Sequence, residues 1–257
     1  MLVSVETEKR QAPQCLGDLF RSSRVAFQPI CGSQGSWHGV EALMRFSNPD
    51  RLHGPESPEV VFTRARKEDR ILELDFYCRE RILEAASEQG LDTRLFMNIC
   101  PESLLSDQHS VGRTDELVER HGLAKEQIVL EITEETAIHN YDLFSRTVSH
   151  YRKQGYRIAI DDFGAGYGGL KMLATIRPDY LKVDRYFIQD IHREPVKHSI
   201  VRALVDICEN LDIRLVAEGI ENGSEFHSIL DLGIELRQGF YFARPAFQLS
   251  ELDYRCQ

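Results

Sequence analysis

Eight short runs of apolar and β-branched residues punctuate this chain, and the gaps between them restrict its fold more than any other feature. The runs are VAFQPI (25–30), GVEALMRF (39–46), RLFMNI (94–99), QIVLEIT (127–133), YRIAIDDF (156–163), DYLKVD (179–184), RLVAEGI (214–220) and RQGFYFA (237–243). From the second run onward, most gaps hold a helical pattern. In 71–89, Ile71, Leu74, Cys78, Ile82 and Ala85 share one face and the pattern stops at Gly90; 141–155 and 196–212 have the same spacing. Strands alternating with helices predict a parallel sheet, and eight of them in 257 residues predict a closed (β/α)8 barrel. The first gap breaks the rule. Residues 31–38, CGSQGSWH, are too few for the crossover that a parallel pair requires, so the first two strands should form an antiparallel hairpin. The expected class is α/β, a modified (β/α)8 TIM barrel with an antiparallel first strand. Residues 1–23 read as a lead-in, 24–257 as one domain, and 47–58 (SNPDRLHGPESP) as a loop.

With 42% hydrophobic residues the chain can bury a full core. Its formal charge of −10 and pI near 5.4 argue against a nucleic-acid polymer or an anionic membrane as partner, because no basic field attracts either. A small anionic ligand stays open if metal ions supply positive charge. The six cysteines (15, 31, 78, 100, 208, 256) form no C-x-x-C pair, which suits a reducing compartment better than a disulfide framework or a zinc site. The opening MLVSVETEKRQAPQ lacks the apolar stretch of a signal peptide, and no segment reaches the eighteen apolar residues of a membrane span. The expectation is a soluble, cytoplasmic protein.

In a barrel of this kind the active site gathers at the carboxyl ends of the strands. Those ends carry Glu41, Asn98, Glu131, Asp161 with Asp162, Lys182 with Asp184, Glu218 and Gln238. Any one acid there is ordinarily a helix cap or a solvated loop residue. The set is not, because Glu131 and Asp161 have apolar neighbours that belong in packed layers, where an unpaired charge is very costly. Carboxylates converging on one small mouth repel each other unless cations lie between them. Carboxylate and amide oxygens without His or Cys suit Mg²⁺ or Mn²⁺ rather than zinc. Five carboxylates and an asparagine exceed what one Mg²⁺ takes from protein, whereas two ions bridged by an aspartate would use them all. Such a pair activates a water and clamps a phosphodiester for in-line attack. The larger, loosely coordinated Ca²⁺ should inhibit. The nine histidines show no metal spacing and read as surface or helix residues.

Gly164, Gly166 and Gly169 also fit the dinucleotide-binding spacing G-x-G-x-x-G, with Asp184 placed where a ribose-binding acid would stand. That reading fails on two counts. Asp161 and Asp162 would face the pyrophosphate, and the fingerprint belongs after a first strand, not a fifth. The D-F-G at 162–164 is no kinase signature either, since the lysine strand and catalytic loop are missing. The glycines are expected to form a mobile loop that bends beside the metals.

At these residues the sequence resembles the EAL-domain cyclic di-GMP phosphodiesterases. Glu41-Ala42-Leu43, continuing to Arg45, looks like the motif that names the family. The likeness continues through FQPI (27–30), MNIC (97–100), LEITEE (130–135), DDFGAGYGGL (161–170), LKVDRYFI (181–188), VAEGIE (216–221) and QGFYFARP (238–245). The resemblance implies hydrolysis of cyclic di-GMP to linear pGpG with Mg²⁺ or Mn²⁺ in bacterial signalling. It implies metal ligation by Glu41, Asn98, Glu131, Asp161, Asp162 and Glu218, with Asp161 as the bridge. Lys182 would deprotonate or polarise the attacking water, or steady the phosphate. The second role is physically easier, because a lysine among carboxylates keeps its charge.

Arg45 fits a phosphate contact, against the plainer reading of a surface ion pair. Gln28 and Gln238 suit a guanine edge or a metal-bound water, against a plain place at a strand end. Glu134 resembles the family's loop-anchoring glutamate, against an N-cap for a helix starting near 136. One departure stands out: Gly168-Gly169 replaces the two serines usual in the family, which predicts a looser loop and lower activity or metal affinity while removing no ligand. The resemblance also suggests a homodimer through helices near the glycine loop. Two other functions compete. A non-catalytic cyclic di-GMP receptor or protein-binding module would be expected to have lost metal ligands, and none is lost. An enolase-type barrel with Lys182 as base would leave Asp162 and Asn98 idle.

Overall fold

The computed structural model describes residues 17, 20, 22–33, 36–47, 56–105, 112–134, 140–166 and 168–252. Eight strands close a barrel in chain order: β1 (Ser23–Cys31), β2 (Trp37–Phe46), β3 (Arg94–Asn98), β4 (Ile128–Thr133), β5 (Arg157–Phe163), β6 (Tyr180–Val183), β7 (Arg214–Ala217) and β8 (Leu236–Arg237). β1 runs antiparallel to both β2 and β8, and every other pairing is parallel. The short first gap therefore does what its length requires. Helices α1 (Pro58–Lys67), α2 (Ile71–Glu88), α3 (Pro101–Leu105), α4 (Arg113–Arg120), α5 (Tyr141–Lys153), α6 (Gly169–Ile176), α7 (Arg185–Ile188), α8 (Pro195–Leu211) and α9 (Gly223–Asp231) account for the crossovers.

Two apolar layers hold the barrel. The larger lies between the strands and the helices and takes Leu74, Cys78 and Ile82 from α2, as the sequence spacing requires. It also receives Phe20, which stacks on Tyr77 at 4.9 Å, so packing begins inside the segment read as a lead-in. The smaller layer fills the barrel: Ile30, Phe96, Val129, Ala159, Tyr180, Val216 and Leu236. Gly39 supplies the space on β2, where a Cβ would stand 2.7 Å from the Arg94 carbonyl and 3.0 Å from the Phe96 ring.

Three expectations are corrected. The eighth run forms only a two-residue strand, because after Arg237 the chain folds back on the end of β7: Ile220 donates to the Gln238 carbonyl. At Gly239 (φ 156°) a Cβ would fall 2.1 Å from the Ile220 carbonyl oxygen, so the sharp departure needs glycine there. Cys31 is disulfide-bonded, whereas Cys78, Cys100 and Cys208 are free; pairing depends on proximity in space, which scattered spacing does not reveal. His38 is a half-buried strand residue bonded to Tyr180 Oη at 2.9 Å, not a surface or helix one. Most of the loop read at 47–58, and the helix start near 136, lie outside the described residues.

Candidate active site

Side chains alternate along a strand, so the inner apolar layer fixes what lies above it. Two residues toward the carboxyl end from Phe96, Val129, Ala159, Tyr180, Val216 and Leu236 come Asn98, Glu131, Asp161, Lys182, Glu218 and Gln238. On β2 the same step leads from Gly39 to Glu41. β1 runs the other way, so its step from Ile30 leads back to Gln28, directly opposite Glu41 in the register. The apolar floor thus carries a polar ring, and the pleat alone brings it together.

Asp162 cannot join that ring by alternation, since it follows Asp161. The structure turns it inward by local distortion. Its φ is +52°, the left-handed region that a non-glycine residue enters at a cost of about 1–3 kcal/mol, and the β5–β6 register shifts between Ile160 and Phe163. Both aspartates then face the mouth. Two groups of carboxylates result, Glu41 with Glu131 and Asp161, and Asp161 with Asp162 and Glu218; within each, the oxygens lie within 4.8 Å of one another. Asp161 belongs to both.

Lys182 is fully buried at the centre. Its Nζ donates to Asp161 Oδ1 at 2.8 Å and stands 2.7 Å from Glu131 Oε1, 2.7 Å from Glu218 Oε1 and 3.3 Å from Glu41 Oε2. Burial opposes its charge, but Asp161, Glu131, Glu218 and Glu41 outweigh that and hold its pKa well above the usual lysine value. One ammonium does not balance five carboxylates; with all five ionised, four negative charges would remain. Burial, aided by Glu41 and Asp161 against the pull of Lys182, raises Glu131 well above the carboxylate range. Glu218 is raised in the same way, and burial with Asp161 takes Asp162 to about 7. Without added cations these shifts favour the protonated forms of the acids.

The remaining predicted residues surround this group. Asn98 is exposed, with Nδ2 donating to Glu131 Oε2 at 3.4 Å. Gln238 donates to Glu41 Oε2 at 2.6 Å and to Gln28 Oε1 at 3.3 Å, while Gln28 donates to the Ala243 carbonyl at 3.0 Å. Both glutamines are buried and orient Glu41. Arg45 shares the Glu41 face of β2 and donates to the Met44 carbonyl at 3.1 Å. Glu134 spans the glycine loop: Oε2 accepts from Gly164 N at 2.7 Å, and Oε1 from Gly168 N at 3.1 Å and Gly169 N at 2.7 Å. Three charge-assisted bonds pin a loop whose glycines alone predict mobility. Asp184 caps α7 through Tyr186 N at 2.9 Å.

Sequence reasoning missed Asp75. It is buried on α2, accepts from Cys100 N at 2.9 Å and Ser103 Oγ at 2.6 Å, and pairs with the fully buried Arg79. It thereby holds the turn that follows Asn98. The available signal was an acid four residues before an arginine on a helix whose other face is apolar.

Above the ring the mouth has two lobes, which share Leu43 and Asp162. One, of about 190 Å³, is lined by Glu41, Glu218, Gln238 and Phe240; the other, of about 300 Å³, by Arg45, Phe62 and Asn98.

The EAL domain family model matches residues 20–245. The chain belongs to the EAL domain family. The cyclic di-GMP phosphodiesterase PdeR of Escherichia coli K12 is 30% identical over 224 residues, covering 86% of this chain and 33% of that protein. A standalone EAL protein of Vibrio cholerae, solved with c-di-GMP bound, is 32% identical with a TM-score of 0.77, over 87% of this chain and 92% of that one. BlrP1 of Klebsiella pneumoniae, solved with manganese and cyclic di-GMP, is 34% identical with a TM-score of 0.79, over 91% and 58%. This chain spans about a third to a half of the length of the curated relatives it matches. Among the described residues, no helix is long and apolar enough to cross a membrane.

The donor set of this EAL domain fits divalent cations on its own evidence. The ring offers only hard oxygen donors, and Gln238 Oε1 and Glu131 Oε1 are buried without a hydrogen-bond donor. For Glu131 Oε1 the 2.7 Å approach of Lys182 is an ion contact that lacks hydrogen-bond geometry. With all five carboxylates ionised and Lys182 charged, the excess of four negative charges would match two divalent ions.

Proposed function

We propose that this EAL domain hydrolyses cyclic di-GMP to linear pGpG, using two divalent cations, Mg²⁺ or Mn²⁺. The observation that carries the reading is the pair of carboxylate groups sharing Asp161 beneath a two-lobed mouth. Glu41, Asn98, Glu131, Asp161, Asp162 and Glu218 would hold the ions, with Asp161 common to both. Bound there, the ions would supply Lewis-acid activation of a water and neutralise the phosphodiester charge. In the reaction the water oxygen bonds to phosphorus, the P–O3′ bond breaks, and a proton ends on the leaving 3′-oxygen.

The residues of the chain divide the remaining work. Gln28 and Gln238 orient Glu41. Lys182, kept protonated by its neighbours, hydrogen-bonds and steadies the phosphoryl oxygens, where charge grows in the transition state. Arg45 contacts a phosphate from the larger lobe, and each lobe receives one guanosine half. Glu134 fixes the glycine loop beside Asp162. The proposal extends to a homodimer through the helices near that loop, supported by the exposed Leu170, Tyr186 and Val196, and to a cytoplasmic setting.

The test is incubation with cyclic di-GMP and Mg²⁺ followed by chromatography. Linear pGpG formed by the wild type and absent with Glu41→Gln supports the proposal; intact cyclic di-GMP with the wild type refutes it.

A further inference from the structure

The alternation that builds the acidic ring also dictates the opposite end of the barrel. Two residues toward the amino end from Phe96, Ala159 and Val216 stand Arg94, Arg157 and Arg214, the first residues of β3, β5 and β7. Alternate strands contribute to one layer of such a barrel, so three arginines share the floor level. Arg157 is neutralised by Asp179 at 2.9 Å. Among the described residues, Arg94 and Arg214 enter no ion pair, and Arg214 lies 5.9 Å over the Tyr180 ring. In a chain of charge −10, two unpaired guanidinium groups at one opening call for an anion.

A cavity lies there. It measures about 530 Å³ and is lined by Arg94, Arg214, Trp37, His38, Cys208 and Leu236, with Glu209 and Glu235 as its acids. That volume falls in the range of small-molecule sites. His38 bonds Tyr180 Oη at 2.9 Å; burial and the two arginines keep its ring neutral, with the pKa lowered to about 4. Among the described residues its cations are therefore the two arginines, which Glu209 and Glu235 balance in formal charge, so any attraction for an anion is local to the guanidinium groups, beside the aromatic residues Trp37 and His38.

We infer that this floor cavity is a second binding site, separate from the mouth, for a phosphomonoester of mononucleotide size. The two guanidinium groups take the phosphate, as their fork geometry suits its oxygens, and the base lies in the part of the cavity lined by Trp37. The site is assigned to binding alone: among the described residues it holds no metal-ligand cluster, burial pushes its Cys208 thiol up to about 12, and its His38 ring is bonded to Tyr180. It stands independently of the activity proposed for the mouth.

Calorimetry in EDTA tests this, with adenosine 5′-monophosphate and inorganic phosphate as probes. Without metal the acidic mouth repels both. The expected result is one nucleotide site per chain, with inorganic phosphate weaker and competitive. Arg94→Ala/Arg214→Ala should weaken binding by about tenfold or more, the scale for losing charge-assisted hydrogen bonds, while Glu41→Gln leaves it unchanged. Should the double variant not fold, Arg214→Gln alone, at an exposed position, should weaken binding by at least about threefold. No saturable binding, binding indifferent to the arginine variants, or binding lost in Glu41→Gln would each overturn the inference.

Discussion

Replacing Lys182 by methionine removes the one cation from the acidic ring while keeping the length of the side chain. In the metal-free protein four carboxylates lose a partner at 2.7–3.3 Å. Removing one member of a buried ionic group costs about 3–5 kcal/mol. Proton uptake by the raised carboxyls of Glu131 and Glu218 offsets part of this, so the lower end of the range applies near neutral pH. At about 2–4 °C per kcal/mol for a chain of this size, the lower end of about 3 kcal/mol means that the melting temperature in EDTA should fall by roughly 6–12 °C. Glu41→Gln should behave in the opposite way. It removes one of five crowded charges and keeps an acceptor for the Gln238 donor, so its melting temperature in EDTA should equal or exceed that of the wild type. Saturating Mg²⁺ should narrow the Lys182→Met deficit, because added cations replace the missing charge. The kcat for cyclic di-GMP should nonetheless stay about 10²-fold down, the scale for one lost electrostatic group. Differential scanning fluorimetry with and without Mg²⁺ reads all of this. An unchanged Lys182→Met melting temperature in EDTA, or a Glu41→Gln variant as unstable as Lys182→Met, would refute the charge balance described for the ring.

Other consequences are equally checkable. Serine at 168 should be tolerated, since a Cβ there meets only Tyr141 Oη at 3.1 Å; at 169 it would stand 2.8 Å from the Phe163 ring and 2.9 Å from both Glu134 oxygens, so, opposite to the expectation drawn from the family's serines, Gly169→Ser should lower the Mg²⁺ affinity read by calorimetry. Asp75→Ala strands the buried Arg79 and should cost about 3–5 kcal/mol in urea unfolding. His38 takes up its proton near pH 6.5 when unfolded but only near pH 4 when folded. Stability should therefore drop as pH falls through that window, more steeply for the wild type than for His38→Gln, with Arg94, Arg214 and Tyr180 as the groups facing it. Activity with Mg²⁺ or Mn²⁺ should be suppressed by Ca²⁺, whose looser coordination spoils the spacing for in-line attack; turnover undiminished by Ca²⁺ would contradict that.

The barrel was legible because gap length and apolar runs are local properties. The 31–38 gap alone dictated the antiparallel start, and the strand-end acids could be named because a set of them on nearly every buried strand is not explained by helix caps one at a time. What escaped sequence reasoning depends on contacts across the fold. The inward turn of Asp162 rests on a positive φ and a register shift that no side-chain pattern announces. Gln28 and Gln238 read as amides for a guanine edge or a metal-bound water, or as plain strand-end residues, yet the antiparallel β1 places them in one hydrogen-bonded row with Glu41. Asp75 passed unnoticed on α2 because its partners, Cys100 N and Ser103, belong to another element. The arginine level at the floor became visible only when the inner layer fixed which residues alternate with it.

Counting bound Mn²⁺ tests the central claim most directly, which is that five carboxylates and one lysine are balanced for two divalent ions. Electron paramagnetic resonance of the wild type, titrated with Mn²⁺ in the presence of cyclic di-GMP, should show two ions per chain, close enough for spin coupling. Asp161→Asn, which removes the residue common to both groups, should abolish the coupled signal. One isolated ion per chain, or a coupled pair that survives Asp161→Asn, would contradict the account.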